Sequence, residues 1–180
     1  MGMVFWMTGL SGAGKSTLSE AVYALLSQKG YAVAVIDGDR LRSGLCSDLG
    51  FQEADRAENN RRAAEMAKML VEQQIIVLVA LISPRKTHRE MARSLIGTAF
   101  FREVFVDAPF DLCLHRDVKG LYKRAIEGEI QGFTGLDSPY EVPDAPDLHI
   151  RTDNWSLKYS IEVLHEWIIT LIKSKIHEPD

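Results

Sequence analysis

Residues 9–17, reading GLSGAGKST, constrain this chain more than any other stretch. They fit the phosphate-loop pattern: Gly9, four residues, then Gly14, Lys15 and Ser16. Before them, Met3-Val4-Phe5-Trp6-Met7 is an apolar run with the length and branching of a buried strand. After them, Leu18, Ala21, Val22 and Leu25 recur at helical spacing up to about Gly30. Strand, glycine loop and helix in that order are the setting the pattern requires. Gly9, Gly12 and Gly14 allow backbone angles and close approach that a side chain forbids. The loop amides can then surround phosphate oxygens at the positive end of a helix dipole. Lys15 reaches the outer phosphates as a point charge, and the Ser16 hydroxyl ligates Mg²⁺. The bland alternative is a glycine-rich turn that happens to precede a helix. The loop predicts phosphate binding without separating kinase from GTPase or motor.

Composition bounds the rest. A chain of 180 residues has the length of one domain, residues 1–180, with a sizeable core. The 46% hydrophobic and 26% charged fractions are those of an ordinary globular protein. A net charge of −4 implies no general affinity for nucleic acid or membrane. An anion-binding protein of this charge must therefore gather its cations locally. Cys46 and Cys113 lack metal-type spacing and read as reduced thiols. No signal-peptide pattern precedes the first strand, and the longest apolar run, residues 75–82, is far too short for a bilayer. The expectation is a cytoplasmic protein without repeats or linkers.

Residues 32–36 read as a second buried strand, ending at Asp37-Gly38-Asp39-Arg40. In open α/β sheets the ligand crevice lies outside the carboxyl ends of the strands, where the phosphate loop also points. Asp37 and Asp39 there could hold Mg²⁺ or accept a proton from a substrate hydroxyl; the alternative is an Asp-Gly turn. A charged loop at 41–51 precedes a helix from about residue 52 to 73. Arg56 and Asn59 share a face near its start and could clamp an anionic, hydrogen-bonding substrate. Arg61 and Arg62 fit a solvated face equally well. The continuous run 75–82 suits a central parallel strand, stopped by Ser83-Pro84; the Ser83 hydroxyl could contact substrate or merely end the strand. Residues 89–96 predict a helix, 103–107 a fourth core strand and 111–117 a short helix. Residues 119–146, rich in Gly and Pro, read as a lid that closes over bound nucleotide. A last strand at 148–150 precedes an amphipathic closing helix marked by Ile161, Leu164, Ile168, Leu171 and Ile172, so Trp155 and Trp167 read as packing. This alternation demands an α/β fold: a mostly parallel sheet of about five strands with helices on both faces and a lid segment.

DGDR, then LRSGLCSDLGFQEADRAENNRR, LISP and RDVKGLYKRAIEGEIQGFTGLDSPYEVP resemble adenylylsulfate kinases, and the likeness runs through nearly the whole chain. The resemblance implies a P-loop nucleotide kinase fold and transfer of the γ-phosphate of MgATP to the 3′-hydroxyl of adenosine 5′-phosphosulfate (APS), giving PAPS. It implies that Gly9, Leu10, Ser11, Gly12, Ala13, Gly14, Lys15, Ser16 and Thr17 hold ATP phosphates and Mg²⁺, with Asp37 a further metal contact. Asp39 becomes the candidate proton acceptor. Arg42, Arg56 and Asn59 match residues that grip the phosphosulfate and ribose. Phe51 and Phe133 match aromatics that sandwich the APS adenine, Ile82 and Ser83 line that pocket, and Lys119 and Thr134 come from the lid. Arg116 matches an arginine lying against the ATP adenine. The resemblance also marks Ser83 as a phosphoserine position, although positioning plus charge stabilisation suffices for direct in-line transfer. A homodimer and a functional partner, ATP sulfurylase, are implied too.

Two departures stand out: Arg40 replaces the usual Asn, and RKTHREMAR follows Ser83-Pro84 where the family more often has a tyrosine and an acidic–basic pair. Arg40 could add a substrate contact or point to solvent. Three other readings remain. A kinase of another small molecule would leave DLGF and FTGLDSPYE unexplained. A GTPase switch would need a guanine-reading Asn-Lys-x-Asp after the Asp117-Val118-Lys119-Gly120 stretch. A binding subunit without catalysis would not need Lys15, Ser16, Asp37 and Asp39 together.

Overall fold

The computed structural model describes residues 2–176; the extremes of the predicted 1–180 domain lie outside the described residues. Five strands form one sheet: β1 (Met3–Thr8), β2 (Val33–Asp37), β3 (Ile76–Ala80), β4 (Phe101–Asp107) and β5 (Leu148–Arg151), in the order β2-β3-β1-β4-β5. Every pairing is parallel, as helix-connected strands require. The helices are α1 (Lys15–Gln28), α2 (Gly38–Arg42), α3 (Glu53–Glu72), α4 (Lys86–Ile96), α5 (Phe110–Arg116), α6 (Leu121–Ile126) and α7 (Leu157–Ile176).

The alternation of β1 splits the core into two layers. Met3, Phe5 and Met7 pack with Leu18, Val22 and Leu26 of α1 and with Leu164, Ile168 and Ile172 of α7. Val4 and Trp6 point the other way, into Ala63, Ala64 and Ala67 of α3 and Ile96 of α4. β1 is buried at every position because both its faces are covered. Trp167 lies edge-on to Phe5, with ring centroids 5.6 Å apart, and Trp155 packs edge-on to Tyr159 at 5.1 Å, so both are packing residues.

Several boundaries differ from the sequence expectations. The Asp-Gly-Asp-Arg stretch is a helical turn, α2, because the Asp37 carboxylate caps it, accepting from the amides of Asp39 at 3.0 Å and Arg40 at 3.4 Å. Strand β3 ends at Ala80; Leu81 and Ile82 turn toward the phosphate loop, where the Leu81 amide donates to the Met7 carbonyl and the Gly9 amide to the Ile82 carbonyl. Helix α4 begins at Lys86, before residue 89, and β4 at Phe101, before residue 103. The lid span 119–146 contains α6 and otherwise irregular backbone.

Candidate active site

The phosphate loop is built by close approach. A Cβ on Gly9 would lie 2.2 Å from the Val106 carbonyl oxygen, and Gly12 has φ +77°, so both positions need glycine. The loop is buttressed from behind. The Tyr122 hydroxyl donates to the Ser11 carbonyl at 2.9 Å, and the Thr152 hydroxyl to the Ala13 carbonyl at 2.9 Å. Arg116 donates to the Gly12 carbonyl at 3.2 Å and the Thr152 carbonyl at 2.8 Å. Lys15 is buried, its Nζ donating to the carbonyls of Gly9 and Leu10, both at 2.8 Å. Burial pulls its pKa down to about 8.

One cleft joins this loop to the acidic and basic residues singled out in the sequence. Ser11, Gly12, Gly14, Lys15, Ser16 and Thr17 form its floor, with Asp37 and Asp39 beside them. Arg42, Phe51, Arg56, Asn59, Asn60, Ile82 and Ser83 line it as well, together with Lys119, Phe133 and Thr134 from the 119–146 segment. The Ser16 hydroxyl donates to Asp37 Oδ2 at 2.7 Å. This pair of hard oxygen donors fits Mg²⁺, which takes one or two carboxylates together with substrate phosphates. Lys119 Nζ is paired with Asp39 Oδ2, so a lid cation rests on the candidate base. Gly9, Leu10 and Ala13 shape the loop without lining the cleft, and Arg116 stands behind it.

The two arginines of the cleft are unusual. Among the described residues neither has a carboxylate within ion-pair distance. Arg42 donates to the Gly50 carbonyl at 2.8 Å and lies 4.3 Å from the centre of the Phe51 ring. Buried Arg56 donates to the Phe51 carbonyl and the Thr134 hydroxyl, both at 2.8 Å, and to the Gly132 carbonyl. Burial lowers both guanidinium pKa values. Two partly desolvated cations, neither in contact with a carboxylate, make this the cation-rich part of the cleft in a protein of net charge −4. Beside them the Asn59 Oδ1 is buried and partnerless, ready to accept from a ligand donor.

Some expectations change. Phe133 is claimed by packing: it is 7% exposed and edge-on to Tyr122 at 4.8 Å, although it still lines the cleft. Phe51 is half-exposed. Arg40 is exposed and faces a shallow groove with Glu20 and Tyr23, outside the main cleft. Arg61 is exposed, whereas Arg62 ties α3 to the preceding loop through the Leu45 carbonyl at 2.9 Å and Asp48 at 2.6 Å. Sequence reasoning passed over Tyr122, Thr152 and Asn60. Only Asn60 carried a signal, standing four residues after Arg56 on the same helical face.

A sequence profile of the adenylylsulphate kinase family matches residues 1–151. The chain belongs to the adenylylsulphate kinase family. The adenylyl-sulfate kinase of Aeromonas hydrophila is 53% identical over 148 residues, covering 82% of this chain and 75% of that protein. The bifunctional enzyme NodQ of Rhizobium sp. (strain N33) is 49% identical over 165 residues, covering 92% of this chain but 26% of its own length. The structure of the Mycobacterium tuberculosis APS kinase CysC in complex with AMPPNP and APS superposes with a TM-score of 0.87 at 45% identity, over 96% of this chain and 98% of that one. The fold is that of the P-loop kinases, and the parallel five-stranded sheet is the one this adenylylsulphate kinase family member shares with that structure.

Proposed function

We propose that the protein transfers the γ-phosphate of MgATP to the 3′-hydroxyl of APS, releasing ADP and PAPS. The observation that supports this reading is that Arg42 and Arg56, neither of them in contact with a carboxylate, line the same cleft as Lys15 and Asp39. The loop amides and Lys15 hold the donor phosphates. Ser16 and Asp37 would hold Mg²⁺, which when bound neutralises charge developing on the transferring phosphoryl oxygens. Arg42 and Arg56 bind the acceptor's phosphosulfate, Asn59 accepts from its ribose, and Phe51 offers an aromatic face to its adenine.

Asp39 takes the proton of the attacking hydroxyl. Its pair with Lys119 has to open for this, and the acceptor's negative charge offers Lys119 a replacement partner. Transfer is direct. The Ser83 hydroxyl accepts from Trp6 Nε1 at 2.9 Å and donates to Asn60 Oδ1 at 2.7 Å, and an amide oxygen is no base to take the proton that a phosphoenzyme step must remove. The same reading carries a homodimer, a cytoplasmic location and a functional partner, ATP sulfurylase, that supplies APS.

The test is coupled ADP release over a panel of hydroxyl acceptors. Turnover is expected with APS; turnover with a sugar or nucleoside and none with APS would refute the assignment. Asp39→Asn is expected to lower kcat by roughly 10²–10⁴, and a near-normal rate would remove Asp39 from the role of base.

A further inference from the structure

Ser83 is held in a conformation that serine seldom adopts. Its φ is +43°, in the left-handed region, and it is 2% exposed. The side chains around it explain how the corner is kept. The Trp6 indole can only donate, so Ser83 Oγ must accept from it. The single serine proton then goes to Asn60 Oδ1. That fixes the amide of Asn60, whose Nδ2 donates to the Arg56 carbonyl at 2.8 Å. Trp6, Ser83 and Asn60 are all buried, so no water replaces a broken link cheaply.

We infer that Asn60 is a positioning residue for the acceptor half of the site, acting through Ser83. The chain of bonds joins three elements that must keep their spacing. Trp6 belongs to β1, which runs directly into the phosphate loop. Ser83 sits at the corner after β3, where the Ile82 carbonyl also receives the Thr8 hydroxyl at 2.7 Å and the Ser83 carbonyl receives Arg89 Nη1 at 2.9 Å. Asn60 lies one turn after Arg56 and next to Asn59 on α3. The network therefore sets the rotation and depth of the acceptor-gripping helix against the donor loop. Its direction is fixed from indole to amide, so a change at either end is felt along it. In-line transfer needs the two halves registered closely, which makes this interlock matter to acceptor binding.

This inference rests on the kinase reading above, so its test includes a readout independent of turnover. Asn60→Leu keeps the volume and removes both the acceptor for Ser83 and the donor to the Arg56 carbonyl. Ser83→Gly keeps the left-handed corner without steric strain and removes the hydroxyl. Each is expected to raise the KM for APS by roughly tenfold or more, since Asn60→Leu leaves the Ser83 hydroxyl without its acceptor and Ser83→Gly leaves both Trp6 Nε1 and Asn60 Oδ1 unpaired, with the KM for ATP within about twofold. The double variant should resemble the worse single one, because a broken chain is not broken twice. In ¹⁵N–¹H spectra, the Trp6 indole resonance should move strongly in Ser83→Gly and less in Asn60→Leu. If Asn60→Leu does not fold, Asn60→Ala takes its place, and the same APS KM and indole readouts decide. Additive effects, an unchanged APS KM, or an unmoved indole resonance would overturn the inference. Absence of APS turnover in the unaltered protein would instead sink the kinase reading.

Discussion

Lys15 is a buried cation whose two visible acceptors are neutral carbonyls of its own loop. Burial is the largest influence on it, repulsion from Lys119 acts in the same direction, and its pKa falls to about 8. Below about pH 8 the empty loop already carries the charge that phosphates need. Above it the ammonium is lost, and binding a polyanion must also take up a proton. ATP affinity should therefore be flat below about pH 8 and weaken by up to about tenfold per unit above it, until the pKa in the complex is reached. Nucleotide titrations between pH 6.5 and 9.5 check this; a level profile to pH 9.5 would mean that Lys15 stays charged without nucleotide. This behaviour was not legible in the sequence. The loop pattern names Lys15 and its partner phosphates, but the depth of burial comes from strands and a lid distant in the chain.

At the scale of elements, α3 shows both what could be read and what could not. Its buried positions, Arg56, Asn59, Asn60, Ala63, Ala64, Ala67 and Val71, fall at helical spacing, so its inward face was legible. That the polar half of the stripe lines the cleft while the alanine half meets β1 depends on tertiary packing. Arg62 is the clearer failure. Its neighbours in sequence are polar, and only the folded loop shows that it grips residues 45 and 48. The Arg61 and Arg62 hydrogen bonds hold the Glu58 carboxyl down at about 2, so this exposed cluster stays ionised at any working pH. Residues 43–51 end at Phe51, so the clamp steadies an aromatic ring that lines the cleft. Arg62→Ala is expected to raise the APS KM several-fold through exposed contacts worth about 0.2–1 kcal/mol each. It should also speed hydrogen exchange across residues 43–51. Unchanged exchange there would mean the loop is steadied by other contacts.

Across the whole molecule, the strand order divides the labour of the cleft. β1 is central and delivers the phosphate loop; β2 and β3 lie on one side, β4 and β5 on the other. On the β2–β3 side of the cleft, Asp37 ends β2, Asp39 and Arg42 lie on α2, Arg56 lies on α3 and Ser83 follows β3. The residues that brace the loop on the opposite flank, Arg116 and Thr152, follow β4 and β5. The alternating β-α pattern made this sheet legible, since helix-linked strands must run parallel and place their loops at one edge. It did not give the left–right order, which is set by the way the helices pack. That order makes a kinetic prediction. Arg56→Ala removes a buried cation from the acceptor side and should raise the APS KM by about 10–10², the loss of roughly 1.5–3 kcal/mol in charged hydrogen bonds, with ATP KM nearly unchanged. Arg116→Ala removes the brace behind Gly12 and should do the reverse, raising the ATP KM by roughly tenfold and sparing APS. Initial-rate matrices over both substrates measure the two constants separately. Should Arg56→Ala shift both constants alike, the guanidinium would be acting mainly through its bonds to Gly132 and Thr134, closing the lid over donor and acceptor together. The division of the cleft would then lie between core and lid instead of between the two flanks of the sheet.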